Sequence, residues 1–278
     1  MLACVPVQAQ RDIVFRAPSH QAVIEQFGTQ TEIVPVASIS DVFDEVEHHR
    51  VDYGIVPVEN STEGVVAATL DRFIDSPLTI KAEAQLRIEH CLLSRSGRPD
   101  RIRTIVSHPQ SIAQCRNWLR QHYPRIPLVE AASNAAAAER ARRETSVAAI
   151  AGRIAADLYG LQIIAANIQD LANNYTRFLV LGRDGVGRPS GDDKTSMLLS
   201  TAHRAGALYS VLQPFADNGV SLCNIESRPL KGRAWEYVFF LDMVGHREDP
   251  HVAKALVDVA NRCLFSKVLG SYPAALRP

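Results

Sequence analysis

The sequence Asn-Asn-Tyr-Thr-Arg-Phe at positions 173–178 runs directly into Leu-Val-Leu-Gly at 179–182. An apolar run of this length that ends in glycine is typical of a buried strand. Two amides, a hydroxyl and a guanidinium therefore lie where this strand meets its loop, the region where α/β folds usually bind ligands. The alternative is an Asx-type turn with Arg177 in a surface ion pair.

Three further polar segments accompany predicted strands elsewhere in the chain. Residues 54–64 read Gly-Ile-Val-Pro-Val-Glu-Asn-Ser-Thr-Glu-Gly, and residues 107–110 read Ser-His-Pro-Gln. Residues 226–229 read Glu-Ser-Arg-Pro and stand near Trp-Glu-Tyr at 235–237. Each segment is too short to identify a function by itself.

The first of these segments predicts an anion site. Asn60, Ser61 and Thr62 separate a predicted strand at 51–58 from a helical pattern, so we expect them at a helix N-terminus. Free N–H groups and the helix dipole stabilise an anion there by roughly 0.3–1 kcal/mol at a surface. An ordinary N-cap is the alternative, and both can hold together. His108, at a similar turn, is expected to be a structural or capping residue.

Composition restricts the class of partner. The 278 residues carry 30 basic and 30 acidic side chains, so no net charge attracts nucleic acid or an anionic membrane. No apolar run approaches the ~20 residues that a membrane helix needs. The five cysteines have no CxxC spacing, which predicts reduced thiols and no metal site. With no export signal recognised, we expect a cytoplasmic protein.

Strand and helix patterns alternate along the first part of the chain, which predicts a largely parallel α/β sheet. The expected strands are 13–15, 32–36, 51–58, 78–84, 86–93, 102–106, 126–130, 146–150 and 161–165. The chain then returns with the strand that begins at Thr176, so residues 1–183 are expected to form two lobes around a cleft. Lobe one takes about 1–77 and 170–183, and lobe two about 78–169.

The last part of the chain has a different pattern. Residues 184–193 form a linker rich in glycine and charged residues. Residues 194–278 then show the strand and helix order βαββαβ, which is that of a ferredoxin-like domain.

The segments at 58–61, 107–110, 176–178 and 226–229, in this order, resemble the prephenate dehydratase family. The resemblance extends from about residue 19 to near the C-terminus. It implies a catalytic domain similar in fold to periplasmic binding proteins, followed by an ACT regulatory domain. It also implies a carbon–oxygen lyase that converts prephenate to phenylpyruvate with loss of CO₂ and water, without a metal or organic cofactor, and that phenylalanine inhibits.

The resemblance also implies roles for individual residues. Thr176 is the expected catalytic group, acting as a hydrogen-bond donor or relay at the leaving hydroxyl. The expected substrate-binding residues are Asn60, Ser61, Thr62, Ser107, Gln110, Asn174, Arg177 and Phe178. Arg177 is expected either to pair with a substrate carboxylate or to orient the loop, and Phe178 is expected to pack beneath it.

The turn Arg-Ala-Gly-Ala-Leu at 204–208 strengthens the resemblance to an ACT domain. In that family, phenylalanine binds between paired domains, so we expect a homodimer or homotetramer. The expected regulatory residues are Gly206, Ala207, Leu208, Asn224, Glu226, Ser227, Arg228 and Pro229. A dimerisation module that has lost the ligand is the alternative.

One segment departs from the family pattern. The family has a glycine-rich Gly-Pro-x-Gly-Thr-Phe-Ser loop after its first strand, whereas residues 15–20 here read Phe-Arg-Ala-Pro-Ser-His. Glycines allow backbone N–H groups to approach an anion closely, so this wall of the site differs. Two alternatives therefore stay open: an arogenate dehydratase, and a non-catalytic amino-acid sensor of the same architecture.

Overall fold

The computed structural model describes residues 13–16, 33–183, 185, 187–230 and 237–275. Residues 21–27 show a helical pattern in the sequence. These residues, the divergent segment at 17–20, and residues 235 and 236 lie outside this part of the chain. The strands are β1 (Ile13–Arg16), β2 (Ile33–Val36), β3 (Tyr53–Asn60), β4 (Gly64–Val65), β5 (Thr79–Arg87), β6 (Cys91–Ser94), β7 (Thr104–Ser107), β8 (Leu128–Glu130), β9 (Val147–Ala151), β10 (Gln162–Ala165), β11 (Tyr175–Gly182), β12 (Asp193–Ser200), β13 (Leu222–Pro229), β14 (Tyr237–Val244) and β15 (Phe265–Pro273). The α-helices are α1 (Ile39–Glu47), α2 (Ala67–Asp75), α3 (Pro109–Gln114), α4 (Arg116–His122), α5 (Asn134–Arg143), α6 (Ile154–Tyr159), α7 (Ala207–Asp217) and α8 (Pro250–Ala260).

The first sheet has the strand order β2-β1-β3-β11-β5, with β4 paired to the end of β3. Strands β1, β2 and β3 are parallel, whereas β11 is antiparallel to both β3 and β5. Helix α1 packs Val42, Phe43 and Val46 into the core on one face. Each such side chain contributes ~1.5–3 kcal/mol by its burial. Ser38 and Asp41 form the capping box that starts this helix.

The second sheet has the order β10-β6-β9-β7-β8. Strand β7 is parallel to β8 and β9, and β6 is antiparallel to β9 and β10. The expectation of a largely parallel sheet is therefore wrong for four of the expected strands. In the first sheet β5 and β11 are antiparallel to their neighbours, and in the second sheet β6 and β10 are. The two strands expected at 78–84 and 86–93 are present as β5, which extends to Arg87, and as β6, and β5 belongs to the first sheet. The crossing to lobe two therefore follows Arg87 instead of residue 77.

Two chain segments cross between the lobes, and backbone hydrogen bonds hold them side by side. The N–H of Ile88 donates to the carbonyl of Asn174 at 2.7 Å. The N–H of Ile168 donates to the carbonyl of His90 at 2.9 Å. The two-lobed arrangement is confirmed, and the crossing pair places the start of β11 at the hinge side of the cleft.

The third sheet is antiparallel, with the order β13-β14-β12-β15, and the expected βαββαβ unit is confirmed. Alternation along β12 sends Met197 and Leu199 toward α7 and α8, and sends Leu198 toward lobe one. Leu198 shares one core with Phe43 and Phe73 of lobe one. Both faces of this sheet are therefore covered within a single chain.

Candidate active site

The two chain segments expected to form the site meet where β3 ends and β11 begins. Thr176 lies opposite Asn60 in the antiparallel pair. The side-chain amide of Asn60 donates one hydrogen bond to Thr176 Oγ1 and one to Asn174 Oδ1, each at 2.8 Å. Thr176 is 9% exposed and Asn174 is 2% exposed, so Asn60 holds both in a dry corner of the cleft.

The hydrogen bond from Asn60 gives the Thr176 hydroxyl a defined role. Its oxygen accepts from Asn60, so its own hydrogen stays available for another acceptor. Within the described part of the chain, no side chain or carbonyl takes that hydrogen. A donor that is itself polarised by an accepted hydrogen bond is a stronger donor. Thr176 is therefore built to donate to a group that enters the cleft.

The turn after β3 is closed by the same asparagine. Asn60 Oδ1 accepts hydrogen bonds from the N–H groups of Thr62 at 3.0 Å and Glu63 at 3.1 Å. The N–H of Ser61 donates to the carbonyl of Tyr175 at 2.8 Å. All three N–H groups of the turn are thus used inside the protein, and none is free for an anion.

This turn corrects the expected helix N-terminus at residues 60–62. Strand β4 follows the turn, with Gly64 at a φ of 83°, and α2 begins only at Ala67. Its N-cap residue, Val66, makes no side-chain capping bond. The helix dipole therefore does not act at Ser61 or Thr62. Ser61 instead ties the turn to β11, because its Oγ accepts from the N–H of Tyr175 at 2.9 Å.

Ser107, the first residue of the lobe-two motif, faces the interior. It is fully buried, and its Oγ lies 2.7 Å from the carbonyl oxygen of Ile150 and 2.9 Å from Asn134 Oδ1. The expected contact with substrate is corrected, because this hydroxyl is committed to lobe two. Asn134, which the sequence analysis missed, also accepts from the N–H of His108 at 3.3 Å. His108 caps α3 as expected, with Nδ1 accepting from the N–H of Gln110.

Helix α3 meets the lobe-one turn across the cleft. Gln110 and Gln114 donate from their side-chain amides to the two carboxylate oxygens of Glu63, Gln114 at 2.9 Å. Only Gln110 was expected at the site. The i, i+4 spacing of the two glutamines on one helix was the signal that would have identified Gln114.

Arg177 points away from the cleft. Adjacent residues of a strand face opposite sides of the sheet, so Arg177 lies on the side opposite Thr176. Its guanidinium donates to Glu83 at 2.6 Å, to Asp242 of β14 at 2.7 Å, and to the Tyr272 hydroxyl of β15 at 3.3 Å. The expected pairing with a substrate carboxylate is wrong, because these bonds join lobe one to the third sheet.

Charge and burial oppose each other in this cluster. Burial lowers the pKa of Arg177, but the negative charges of Asp242 and Glu83 and the hydrogen bond to Asp242 outweigh it, so the pKa is raised. Lys194 also pairs with Glu83, at 2.7 Å. Two cations thus face two carboxylates in a nearly closed space.

Phe178 packs beneath the site, as expected, and does not line it. It is 2% exposed and lies in one cluster with Ile55, Leu86 and Val180. Its place among the substrate-binding residues is therefore corrected.

Comparison with known proteins shows which family this chain belongs to. Residues 16–186 match the sequence profile described as prephenate dehydratase, and residues 196–261 match the ACT domain. The chain belongs to the prephenate dehydratase family. A bifunctional chorismate mutase/prephenate dehydratase of Stutzerimonas stutzeri is 44% identical over 99% of this chain and 77% of its own length. The prephenate dehydratase of Amycolatopsis methanolica is 37% identical over 88% of this chain and 81% of its own.

Two solved structures resemble the whole chain. Prephenate dehydratase from Arthrobacter aurescens in complex with L-Phe superposes with a TM-score of 0.87 and 32% identity, covering 95% of this chain and 90% of its own. GqqA, described as a novel type of quorum quenching acylase, has a TM-score of 0.87 and 29% identity, covering 95% and 98%.

The regulatory residues expected in the ACT domain lie in two separate places. Gly206, with a φ of 77°, precedes α7, while residues 226–229 end the outer strand β13. Among the described contacts, no hydrogen bond or ion pair joins these two segments in one chain. Arg228 instead pairs with Asp71 of α2 at 3.1 Å, which ties the expected effector segment to the helix that follows the Asn60 turn.

In the part of the chain that the structure describes, no group of three or more His, Cys, Asp or Glu side chains is placed to hold a metal ion. In the same residues, no helix is both long and apolar enough to cross a membrane.

Proposed function

We propose that this protein is a prephenate dehydratase, which converts prephenate to phenylpyruvate in phenylalanine biosynthesis. The observation that carries the proposal is the polarised hydroxyl of Thr176, held by Asn60 in the cleft of a member of this family. The named relatives favour this reaction over the arogenate and non-catalytic alternatives.

The reaction requires few catalytic groups from the protein. The electrons of the bond to the departing carboxylate move into the ring as CO₂ leaves, and the ring hydroxyl departs with its bonding pair and takes up a proton as water. The ring becomes aromatic, which supplies driving force. A donor at the leaving oxygen stabilises the charge that develops there, and a closed cleft strengthens that interaction. Thr176 supplies this donor, and Asn60 fixes its position.

Acyl transfer, the activity named for GqqA, is a second candidate that the geometry does not favour. A hydroxyl nucleophile needs a neighbouring base to remove its proton. Thr176 Oγ1 accepts a hydrogen bond from Asn60, and among the described residues no His, Asp or Glu is bonded to it. The arrangement suits a hydroxyl that donates, and it does not suit one that attacks.

Conversion of prephenate by the purified chain, followed by phenylpyruvate absorbance, tests the proposal. We expect turnover that falls when phenylalanine is added. Absence of turnover in a folded chain that still binds phenylalanine would contradict the catalytic proposal and leave a sensor.

We further propose that phenylalanine binds the ACT domain at Gly206, Ala207, Leu208, Asn224, Glu226, Ser227, Arg228 and Pro229. The two segments are apart in one chain, which supports a pocket shared between subunits of a homodimer or homotetramer. Light scattering measures the oligomeric state, and cell fractionation tests the proposed cytoplasmic location.

Replacing Arg228 with alanine is expected to weaken phenylalanine binding by about tenfold, the effect of losing one charge-assisted hydrogen bond. Isothermal titration calorimetry measures this directly. Asp71→Asn is the matched control, since it also breaks the Arg228–Asp71 pair but keeps the guanidinium. If both variants weaken phenylalanine binding equally, the Arg228–Asp71 pair is what matters for binding, and Arg228 does not contact phenylalanine directly.

A further inference from the structure

The backbone N–H groups and the guanidinium that were expected to bind substrate carboxylates have partners inside the protein. The backbone N–H groups of residues 61–63 are used within the turn, and Arg177 faces the third sheet. The side-chain amides of Gln110 and Gln114 remain, on the lobe-two wall of the cleft. In the empty cleft both are already bonded to a carboxylate, that of Glu63.

The two amides form a matched pair. They stand one helical turn apart on α3, and each donates to a different oxygen of the same carboxylate. A carboxylate that accepts from two separate donors is held in both position and orientation. Glu63 reaches them from the opposite lobe, so its side chain spans the space where a ligand would enter.

A buried histidine fixes the orientation of Gln114. Its Oε1 lies 2.7 Å from His90 Nε2, so its N–H₂ group must face Glu63. His90 therefore carries its proton on Nε2. Its Nδ1 is buried without a partner among the described residues, and burial lowers the pKa of the ring despite the bond to Gln114. A neutral His90 thus keeps the Gln114 amide aimed into the cleft.

We propose that Gln110 and Gln114 form a binding subsite for the side-chain carboxylate of the substrate, which the product phenylpyruvate retains, and that the Glu63 carboxylate occupies this subsite when the cleft is empty. The inference rests on the proposed function, because it takes the substrate to be the dicarboxylate prephenate. Substrate then displaces Glu63 by side-chain rotation alone. The Glu63 N–H stays on Asn60 Oδ1, so the Asn60–Thr176 bond is preserved.

Removing the internal competitor is expected to tighten substrate binding. A site that is free only part of the time binds more weakly in proportion to its free fraction, so Glu63→Ala should lower KM for prephenate by about three- to tenfold. Glu63→Gln, which loses the charge but keeps one acceptor, should give a smaller decrease. Asp157→Ala, which removes an exposed acid of lobe two, controls for net charge and should leave KM unchanged.

The opposite variant tests the subsite itself. Gln110 is exposed, so Gln110→Ala is expected to fold normally. Loss of one hydrogen bond to a charged group weakens the hold on substrate about tenfold, but it loosens Glu63 as well, so KM should rise by about two- to fourfold. If Glu63→Ala raises KM or leaves it unchanged, Glu63 supports the closed cleft and does not compete, and the inference is overturned. An unchanged KM in Gln110→Ala overturns it equally.

A binding measurement separates this inference from the proposed function. Phenylpyruvate carries one carboxylate, and its binding can be titrated by calorimetry whether or not prephenate is turned over. Tighter binding to Glu63→Ala than to the wild-type chain supports the subsite even if catalysis is absent. Equal or weaker binding contradicts the subsite even if the wild-type chain is an active dehydratase.

Discussion

Replacing Thr176 with alanine is expected to lower kcat for prephenate by a factor of roughly 10² or more. The hydroxyl accepts from Asn60 and has its hydrogen available for the cleft, so it contributes most when charge develops on the leaving oxygen. An interaction made mainly in the transition state lowers kcat and kcat/KM together when it is lost. Steady-state assays over a range of prephenate concentrations measure both.

Three variants separate chemistry from packing at this position. Thr176→Val keeps the shape of the buried side chain and should lose as much turnover as Thr176→Ala. Thr176→Ser keeps the hydroxyl and should retain most of it. Thr145→Ala, an exposed site in lobe two, is the matched control. Near wild-type turnover in Thr176→Val would remove the hydroxyl from the mechanism.

The local patterns were sufficient to predict most elements. The βαββαβ order of the last six elements follows from residues close in sequence, and the third sheet agrees with it. The strand β11 was likewise evident from its apolar run. The pairing partner of a strand is harder to predict, because it can lie far away in the sequence. Strand β5 joins the first sheet since β11, almost a hundred residues later, pairs along its whole length.

The candidate site was predicted by location but not by contact. Asn60 and Thr176 meet as expected, yet the N–H groups near Asn60 are unavailable because its own side chain closes the turn. A helical sequence pattern does not show that the side chain of an asparagine will accept hydrogen bonds from the N–H groups of the turn that follows it. Ser107 is similar, since only the three-dimensional fold brings Asn134 and the carbonyl of Ile150 to its hydroxyl.

Arg177 could have been assigned to the correct side from sequence alone. It follows Thr176 directly in a strand, so both cannot face the same cleft. What the sequence lacks is the partner: Asp242 lies 65 residues further on, in another domain.

Replacing Arg177 with alanine is expected to lower the free energy of unfolding by about 3–5 kcal/mol, because it leaves two carboxylates without their main cation. Glu83 and Asp242 have side-chain exposures of 3% and 10%, so water does not replace the lost bonds. Urea denaturation followed by circular dichroism measures the change. Arg143→Ala removes an exposed arginine from its pair with Glu139 and should have no measurable effect. If Arg177→Ala also leaves the free energy of unfolding unchanged, the buried cluster does not stabilise the chain.

The cluster also links the two domains through hydrogen bonds. Asp242→Asn removes the ACT-domain charge while keeping the size of the side chain, and it should destabilise the protein through the same bond. Residues in one buried network are not independent, so the double variant should lose less than the sum of the single losses. Additive losses would mean that the bond between Arg177 and Asp242 does not contribute to stability. A coupled pair would mean that β11 is held to the third sheet at Arg177, the residue next to the proposed catalytic hydroxyl of Thr176.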